Sequence, residues 1–295
     1  WQVVLLTHLT GRLPGTGELV RRFAERAAAG SLLAQAVASN GLGVDTLHAG
    51  QMAVNAAHFE HTLALLAQAA PPVVLLRDPR TEAWSYLCLV AAVLGRDELA
   101  ERCNAEVDAF IARGTDLIGM GMGRWFQAYG AYFTADALRV RALSAPAVAE
   151  LEARRASPFL QPHRIALGWA TAALGDGAAG AALARDGLQA YLAQGSRQGL
   201  AGLYAVVGET LRLAGDADGA ARCAAAGLAA GAERGDGFAH AELLRVQGAA
   251  LLLTDPAAAA AEAPLRAALD HARQQQAALL QVRAAATLAQ WLRAT

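Results

Sequence analysis

The sequence predicts an all-helical chain folded as a repetitive α-solenoid, and three observations carry that prediction. A turn recurs every 40 residues, as Ala173-Leu174-Gly175-Asp176, Leu213-Ala214-Gly215-Asp216 and Leu252-Leu253-Thr254-Asp255. Seven residues before each of the turn positions 175, 215 and 255 stands a further glycine, Gly168, Gly208 and Gly248. The composition is helical: 55% of the 295 residues are hydrophobic, mostly alanine and leucine, strand formers are sparse, and there are nine prolines. Self-similarity at a period of roughly 20–50 residues is the signature of stacked supersecondary units that contact their sequence neighbours.

The 40-residue interval sets the elements in order. Turns fall near residues 11, 57, 95, 135, 175, 215 and 255, at Gly11-Arg12-Leu13, Ala57-His58-Phe59, Gly95, Ala135-Asp136, Gly175, Gly215 and Asp255. They define about seven helix pairs, over residues 1–30, 31–75, 80–115, 120–155, 160–198, 199–236 and 237–276, with a closing helix over 277–293. Each pair opens with an apolar helix carrying a small residue, as in Ala49-Gly50, Leu167-Gly168 and Val207-Gly208. The second helix then places small residues every three or four positions, as in Gly180, Ala184 and Gly187, or Ala220, Ala224 and Gly227. That spacing lines one helical face and admits a close neighbour. Glycine inside a helix costs about 0.5–1 kcal/mol relative to alanine, so glycines at matched positions imply a packing reason. The closing helix carries Leu280, Ala284, Leu288 and Trp291 on one side. Trp1 stands where the frame places the inside of a helix, so the expectation is a single solenoid, truncated at its N-terminus.

The pattern Trp84…Leu87-Cys88…Ala91…Gly95…Ala100, with Leu167-Gly168…Gly175…Gly180 and Tyr204…Val207-Gly208…Leu211…Gly215…Ala220, resembles the tetratricopeptide repeat. The unit is 40 residues rather than 34, and the proline that often closes such a repeat is absent. Two segments, Asp78-Pro79-Arg80-Thr81-Glu82-Ala83-Trp84-Ser85-Tyr86-Leu87 and Ala241-Glu242-Leu243-Leu244-Arg245-Val246-Gln247-Gly248, look like parts of the C-terminal repeat arrays of large bacterial signalling ATPases. In the second, Gln247 replaces the usual lysine. The resemblance implies a right-handed superhelix attached to an ATPase, a nucleotidyl cyclase or a DNA-binding domain. It specifies the fold and leaves the ligand open.

Composition narrows the partners. The net charge is −1, every one of the 25 basic residues is arginine, and the pairs Arg21-Arg22 and Arg154-Arg155 are too short to form a nucleic-acid stripe. The uniform arginine usage reads as GC-rich codon bias. The positive mean hydropathy is an alanine effect, and no run of about 20 apolar residues reads as a membrane span. Leu63–Leu76 is interrupted by Pro71-Pro72, and there is no secretory signal with a charged start. Three cysteines, Cys88, Cys103 and Cys223, with no CxxC, suit reduced thiols in a cytoplasm. Cys88 and Cys103 fall on the two helices of one unit.

Catalytic constellations are sparse. No GxxxxGK[ST] occurs. Gly119-Met120-Gly121-Met122-Gly123-Arg124 reads as a linker before the first helix of the fourth unit, and Gly11…Gly15-Thr16-Gly17 as a loop without a phosphate-binding lysine. His58-Phe59-Glu60-His61 spaces two histidines for a metal but falls at a turn without a third ligand. His8, His48, His163, His240 and His271 occur singly, and Glu98, Glu101, Glu106 and Asp108 read as solvated faces. No cofactor, metal or catalytic residue is therefore expected.

The feature that does suggest a function is a concave face. In such a solenoid the first helix of each unit lines the inner side. That places Trp125, Tyr129 and Tyr132, Ile165 and Trp169, Glu209 and Arg212, and Glu242 and Arg245 along one groove. Aromatics are 6% of the chain, so their concentration here is notable, and aromatic and arginine side chains favour interfaces. These same residues would also serve as packing within the array. The expected function is a non-catalytic interaction or regulatory module for a protein or peptide partner, or for other domains of the parent chain, with no direct contact to nucleic acid or membrane. A small-molecule or peptide receptor of a transcriptional regulator, and an enzyme on an α/α scaffold, are the alternatives.

Overall fold

The computed structural model describes residues 16–69, 78–114, 116–155 and 158–295. Fourteen α-helices occur among the described residues, with no strand. They are α1 (Thr16–Ala27), α2 (Leu32–His48), α3 (Met52–Gln68), α4 (Pro79–Leu94), α5 (Asp97–Ala112), α6 (Leu117–Phe133) and α7 (Ala137–Ala153). Then come α8 (Leu160–Ala173), α9 (Gly177–Ala193), α10 (Leu200–Leu213), α11 (Ala217–Arg234), α12 (His240–Thr254), α13 (Glu262–Gln274) and α14 (Ala278–Ala294). A short 3-10 turn, Ala259–Ala261, precedes α13. From α2 onward the helices pack in consecutive pairs, each pair stacking on the next. The chain is an α-solenoid of TPR-like helix pairs, with α14 packed on α12 and α13.

The recurrent Gly-Asp turn has a direct physical explanation. Gly175 and Gly215 hold φ of +111° and +79°, the left-handed conformation that ends a helix with least strain when no Cβ is present. The aspartate that follows caps the next helix. Asp176 accepts from the Ala179 amide at 3.0 Å and Asp216 from the Gly219 amide at 2.8 Å. Asp136 does the same for Arg139 at 2.9 Å, behind Ala135 at φ +58°. The interior glycines mark the closest approach of paired helices. A Cβ on Gly168 would lie 2.7 Å from the Gly180 carbonyl oxygen, and one on Gly248 2.6 Å from the Leu265 side chain. Ala220 and Ala224 are fully buried, as are Leu280 and Ala284 on α14.

Five local expectations are corrected. The turn placed at Ala57-His58-Phe59 lies inside α3; the chain turns at Ala49-Gly50-Gln51 instead, where Gly50 has φ +75°. Gly50 therefore ends α2 and is not its interior small residue, and His58-Phe59-Glu60-His61 is mid-helix, with Phe59 fully buried. The 40-residue frame fails here because Gly50 and Gly95 are 45 residues apart, the extra length falling between α3 and α4.

Gly119–Arg124 is likewise no linker but the first half of α6, started by Asp116, whose carboxylate accepts from the Gly119 amide at 2.8 Å. Its glycines are spaces for neighbours: a Cβ on Gly123 would meet Val107 Cγ1 at 2.8 Å. Thr16 and Gly17 open α1 rather than belonging to a loop. The expectations for Trp1, for the turn at Gly11 and for Pro71-Pro72 lie outside the described residues. Among the described residues no helix is long and apolar enough to cross a membrane.

The array curls back on itself, bringing distant helix pairs into contact. The Gly237 amide donates to the His48 carbonyl at 2.6 Å, joining the end of α2 to the α11–α12 turn. Gln275 Nε2 donates to the Gly237 carbonyl at 2.7 Å. Arg283 of α14 donates to the Phe133 carbonyl at the end of α6 at 3.1 Å. The inner faces of the first helices consequently face one another across a small central space.

Candidate functional site

α6 supplies the centre of that space. Its residues Trp125, Tyr129 and Phe133 recur every four positions and so lie on one face. Trp125 and Tyr129 stack with ring centroids 5.0 Å apart, and Tyr129 meets Phe133 at 4.9 Å and Phe238 at 5.8 Å. On the other side Phe59, Tyr86 and Phe126 continue the aromatic layer, at 5.3 and 4.3 Å. Between these layers lies a cavity of about 80 Å³. Its walls come from α2, α4, α6, α8, α9 and α10 and from the turns at 198–199 and 236–238.

Two features define the chemistry of the cavity. The Tyr129 hydroxyl is buried and has no hydrogen-bond partner. It rests against Gly202, where any Cβ would collide with it. Burial raises its pKa well above the ordinary tyrosine value, with Asp236 and Glu242 adding to the effect, so it stays a neutral hydroxyl. The His48 imidazole and the Asp236 carboxylate line the cavity and face each other at 3.5 Å, and Asp236 also accepts from the Phe238 amide at 3.4 Å.

The charged residues expected on the groove form a separate, buried ion network. Arg245 bridges Glu209 and Glu242, each at 2.7 Å, Arg212 holds Glu209 at 2.7 Å, and Arg283 holds Glu242 at 2.7 Å. Burial pushes the Glu242 carboxyl up, but Arg245 and Arg283 more than reverse this and hold it below the usual carboxylate range. Glu209 is lowered in the same way, by Arg245 and Arg212 against its burial. The Tyr132 hydroxyl donates to Glu242 at 2.8 Å and is thereby fixed in the network. Three guanidinium groups face two carboxylates. The surplus positive charge is placed where Arg283 meets the C-terminal carbonyls of α6, the negative end of that helix dipole.

The sequence-derived residues thus divide. Trp125 and Tyr129 line the cavity. Tyr132, Glu209, Arg212, Glu242 and Arg245 belong to the ion network, where Arg212 keeps partial exposure. Trp169 packs edge-on against Tyr132 at 5.0 Å, and Ile165 is fully buried against the Gly187 position of its own pair. Residues not foreseen are Arg283, Phe238, Gly202, and the His48–Asp236 pair. They reach the site only through contacts between helix pairs far apart in sequence, which no local spacing announces.

Elsewhere, His163 is fully buried between Ser144 Oγ at 3.1 Å and the Gly121 carbonyl at 3.0 Å, and burial lowers its pKa to about 4. Among the described residues no group of three or more histidine, cysteine or acidic side chains converges as a metal site.

Fold and site together define a TPR-like helical repeat array with an aromatic central cavity. Among solved structures, a Rap protein complexed with competence and sporulation factor shares this fold: the TM-score is 0.64 at 12% identity, covering 99% of this chain and 85% of that one. No protein-family model matches the sequence, and no curated protein matches it.

Proposed function

We propose that the chain is a non-catalytic regulatory module that binds a peptide or protein segment at the central space of its superhelix. The observation that carries this reading is the convergence of the first helices of five successive pairs on one aromatic cavity containing an unpartnered hydroxyl. Aromatic side chains offer large contact area at low entropic cost, and such sites anchor partners. The Rap protein's complex with competence and sporulation factor supports the reading, because an array of the same shape there holds a partner. On the resemblance of Asp78–Leu87 and Ala241–Gly248, the module would serve a bacterial signalling ATPase inside the cell, and the reading frame upstream of Trp1 tests that context directly.

The small size of the cavity favours a second reading, a small-molecule receptor. An enzyme on an α/α scaffold is the remaining alternative; the His48–Asp236 contact at 3.5 Å, beside the Gly237–His48 hydrogen bond, supports a role in joining the helices instead. The test is selection of peptides from a displayed random library on the purified chain, followed by titration against Tyr129→Ala. Binding that Tyr129→Ala weakens at least tenfold, with helicity intact, supports the reading; equal binding by both removes the site assignment.

A further inference from the structure

The geometry points to a specific occupant for the central cavity: a single uncharged ring carrying a hydrogen-bond acceptor, seated between the Trp125–Tyr129 stack and the Tyr86–Phe126 layer, with its acceptor on the Tyr129 hydroxyl. This deepens the reading of the central space as the partner site and rests on it.

Size is the first argument. A water needs about 10–15 Å³ of such free volume, so about 80 Å³ exceeds a packing defect, and because the space is partly open a ring larger than this volume can seat partly within it. Shape is the second. The lining is dominated by Tyr86, Trp125, Phe126, Tyr129 and Phe238, whose flat faces favour offset or edge-on contact with another ring. Polarity is the third. Leaving a buried hydroxyl unpaired costs about 1–3 kcal/mol, and Tyr129 carries that penalty inside the cavity wall. A ligand acceptor relieves it. Charge is the fourth. Among the described residues no arginine lines the space, and its one carboxylate, Asp236, faces His48 and accepts from the Phe238 amide, so the lining is poorly suited to an ionic occupant.

Such a ring has two sources, a free small molecule or an aromatic residue of a bound peptide, whose neighbouring backbone carbonyl would serve as the acceptor. The experiment separates them. The full chain is titrated with acetophenone, which joins a ring to a carbonyl, and with ethylbenzene, which lacks the acceptor. A second arm uses the amide of Ala-Ala-Phe-Ala-Ala against that of pentaalanine. Tryptophan fluorescence and melting temperature are read for wild type, Tyr129→Phe and Gly202→Ala.

The expected result is saturable binding of a carbonyl-bearing ring, free or peptide-borne, weakened about three- to tenfold by Tyr129→Phe, the scale of one net hydrogen bond. Ethylbenzene binding should be the same in wild type and Tyr129→Phe. Gly202→Ala, whose methyl would stand where the hydroxyl lies, should also weaken the carbonyl-bearing ring. Binding by acetophenone assigns a small molecule, and binding by the phenylalanine peptide alone assigns a peptide anchor. Absence of saturable binding by every ring, or equal affinity in wild type and Tyr129→Phe, overturns the inference. A library-selected peptide that binds wild type and Tyr129→Phe alike, yet is lost in Tyr129→Ala, would overturn this inference while leaving the partner-binding reading in place.

Discussion

Arg283 holds Glu242 at 2.7 Å while donating to the Phe133 carbonyl at 3.1 Å, so one guanidinium ties the last helix to the middle of the array. The two contacts span 41 and 150 residues of sequence. A buried ion pair contributes little net stability against a well-packed apolar equivalent, because desolvation offsets attraction. Removing one partner is different, since it strands the other. Glu242→Gln leaves Arg245 and Arg283 facing a neutral amide and should cost about 3–5 kcal/mol. Urea unfolding measures this as a lower midpoint at unchanged slope. A loss below about 1 kcal/mol would show that the network is not a structural clamp.

The two network carboxylates also set an acid limit. Glu209 and Glu242 have folded-state pKa values below the ordinary one. Unfolding therefore raises their pKa, and the unfolded chain binds more protons as pH falls below about 4.3. Their stabilisation is present above that pH and is lost as pH drops through the folded values. Stability measured from pH 5 to pH 3 should fall more steeply for wild type than for Glu242→Gln.

His163 acts in a higher window. The folded pKa of about 4 lies below the ordinary histidine value of about 6.5, because burial disfavours the charged ring. The unfolded chain protonates first as pH falls, so the stabilisation present above about pH 6.5 declines towards pH 4. The slope approaches about 1.4 kcal/mol per pH unit. His163→Gln keeps a donor for the Gly121 carbonyl and removes the titration. Urea midpoints at pH 7.5, 6 and 5 should then converge, with a residual slope from His58 and His240, whose pKa values burial also lowers. An unchanged slope would show that His163 is not neutral and buried in solution.

Helix contact predicts a reversal of ordinary propensity. Alanine usually stabilises a helix relative to glycine by about 0.5–1 kcal/mol. At Gly168 and Gly180 a Cβ would lie 2.7 Å and 2.5 Å from the carbonyl oxygen of the other. Gly168→Ala and Gly180→Ala should each destabilise by about 1–3 kcal/mol through forced separation of α8 and α9. Thermal melts report it directly.

The thiols should be inert in the folded chain. Burial pushes Cys88 and Cys103 up to about 12, and each thiol is held among apolar neighbours. Cys88 further donates to Asn104 Oδ1 at 3.2 Å. Alkylation by iodoacetamide at pH 8 should leave both intact until denaturant is added. Rapid modification without denaturant would contradict their burial.

Much of the fold was readable because its signals are local. The Gly-Asp turn combines a left-handed helix end with an aspartate cap, both fixed within a few residues. The same logic misled at Gly119–Arg124, where glycine served a neighbouring side chain rather than a loop, and at Ala57, where a constant period was assumed across a longer connection. The inner face was readable in part. Trp125 and Tyr129 follow from helical spacing on α6. That Tyr132 and Glu242 sit beneath Arg283 depends on α14 folding back onto α6 and α12, a contact that no helical period encodes.

The central claim is that a partner is held at the central space. Hydrogen exchange of the full chain, with and without a library-selected peptide, tests it most directly. The account predicts new protection in α6, in α10 around Gly202 and at residues 236–238. Protection confined to the second helices α5, α7 and α11, with α6 and α10 unchanged, would contradict it.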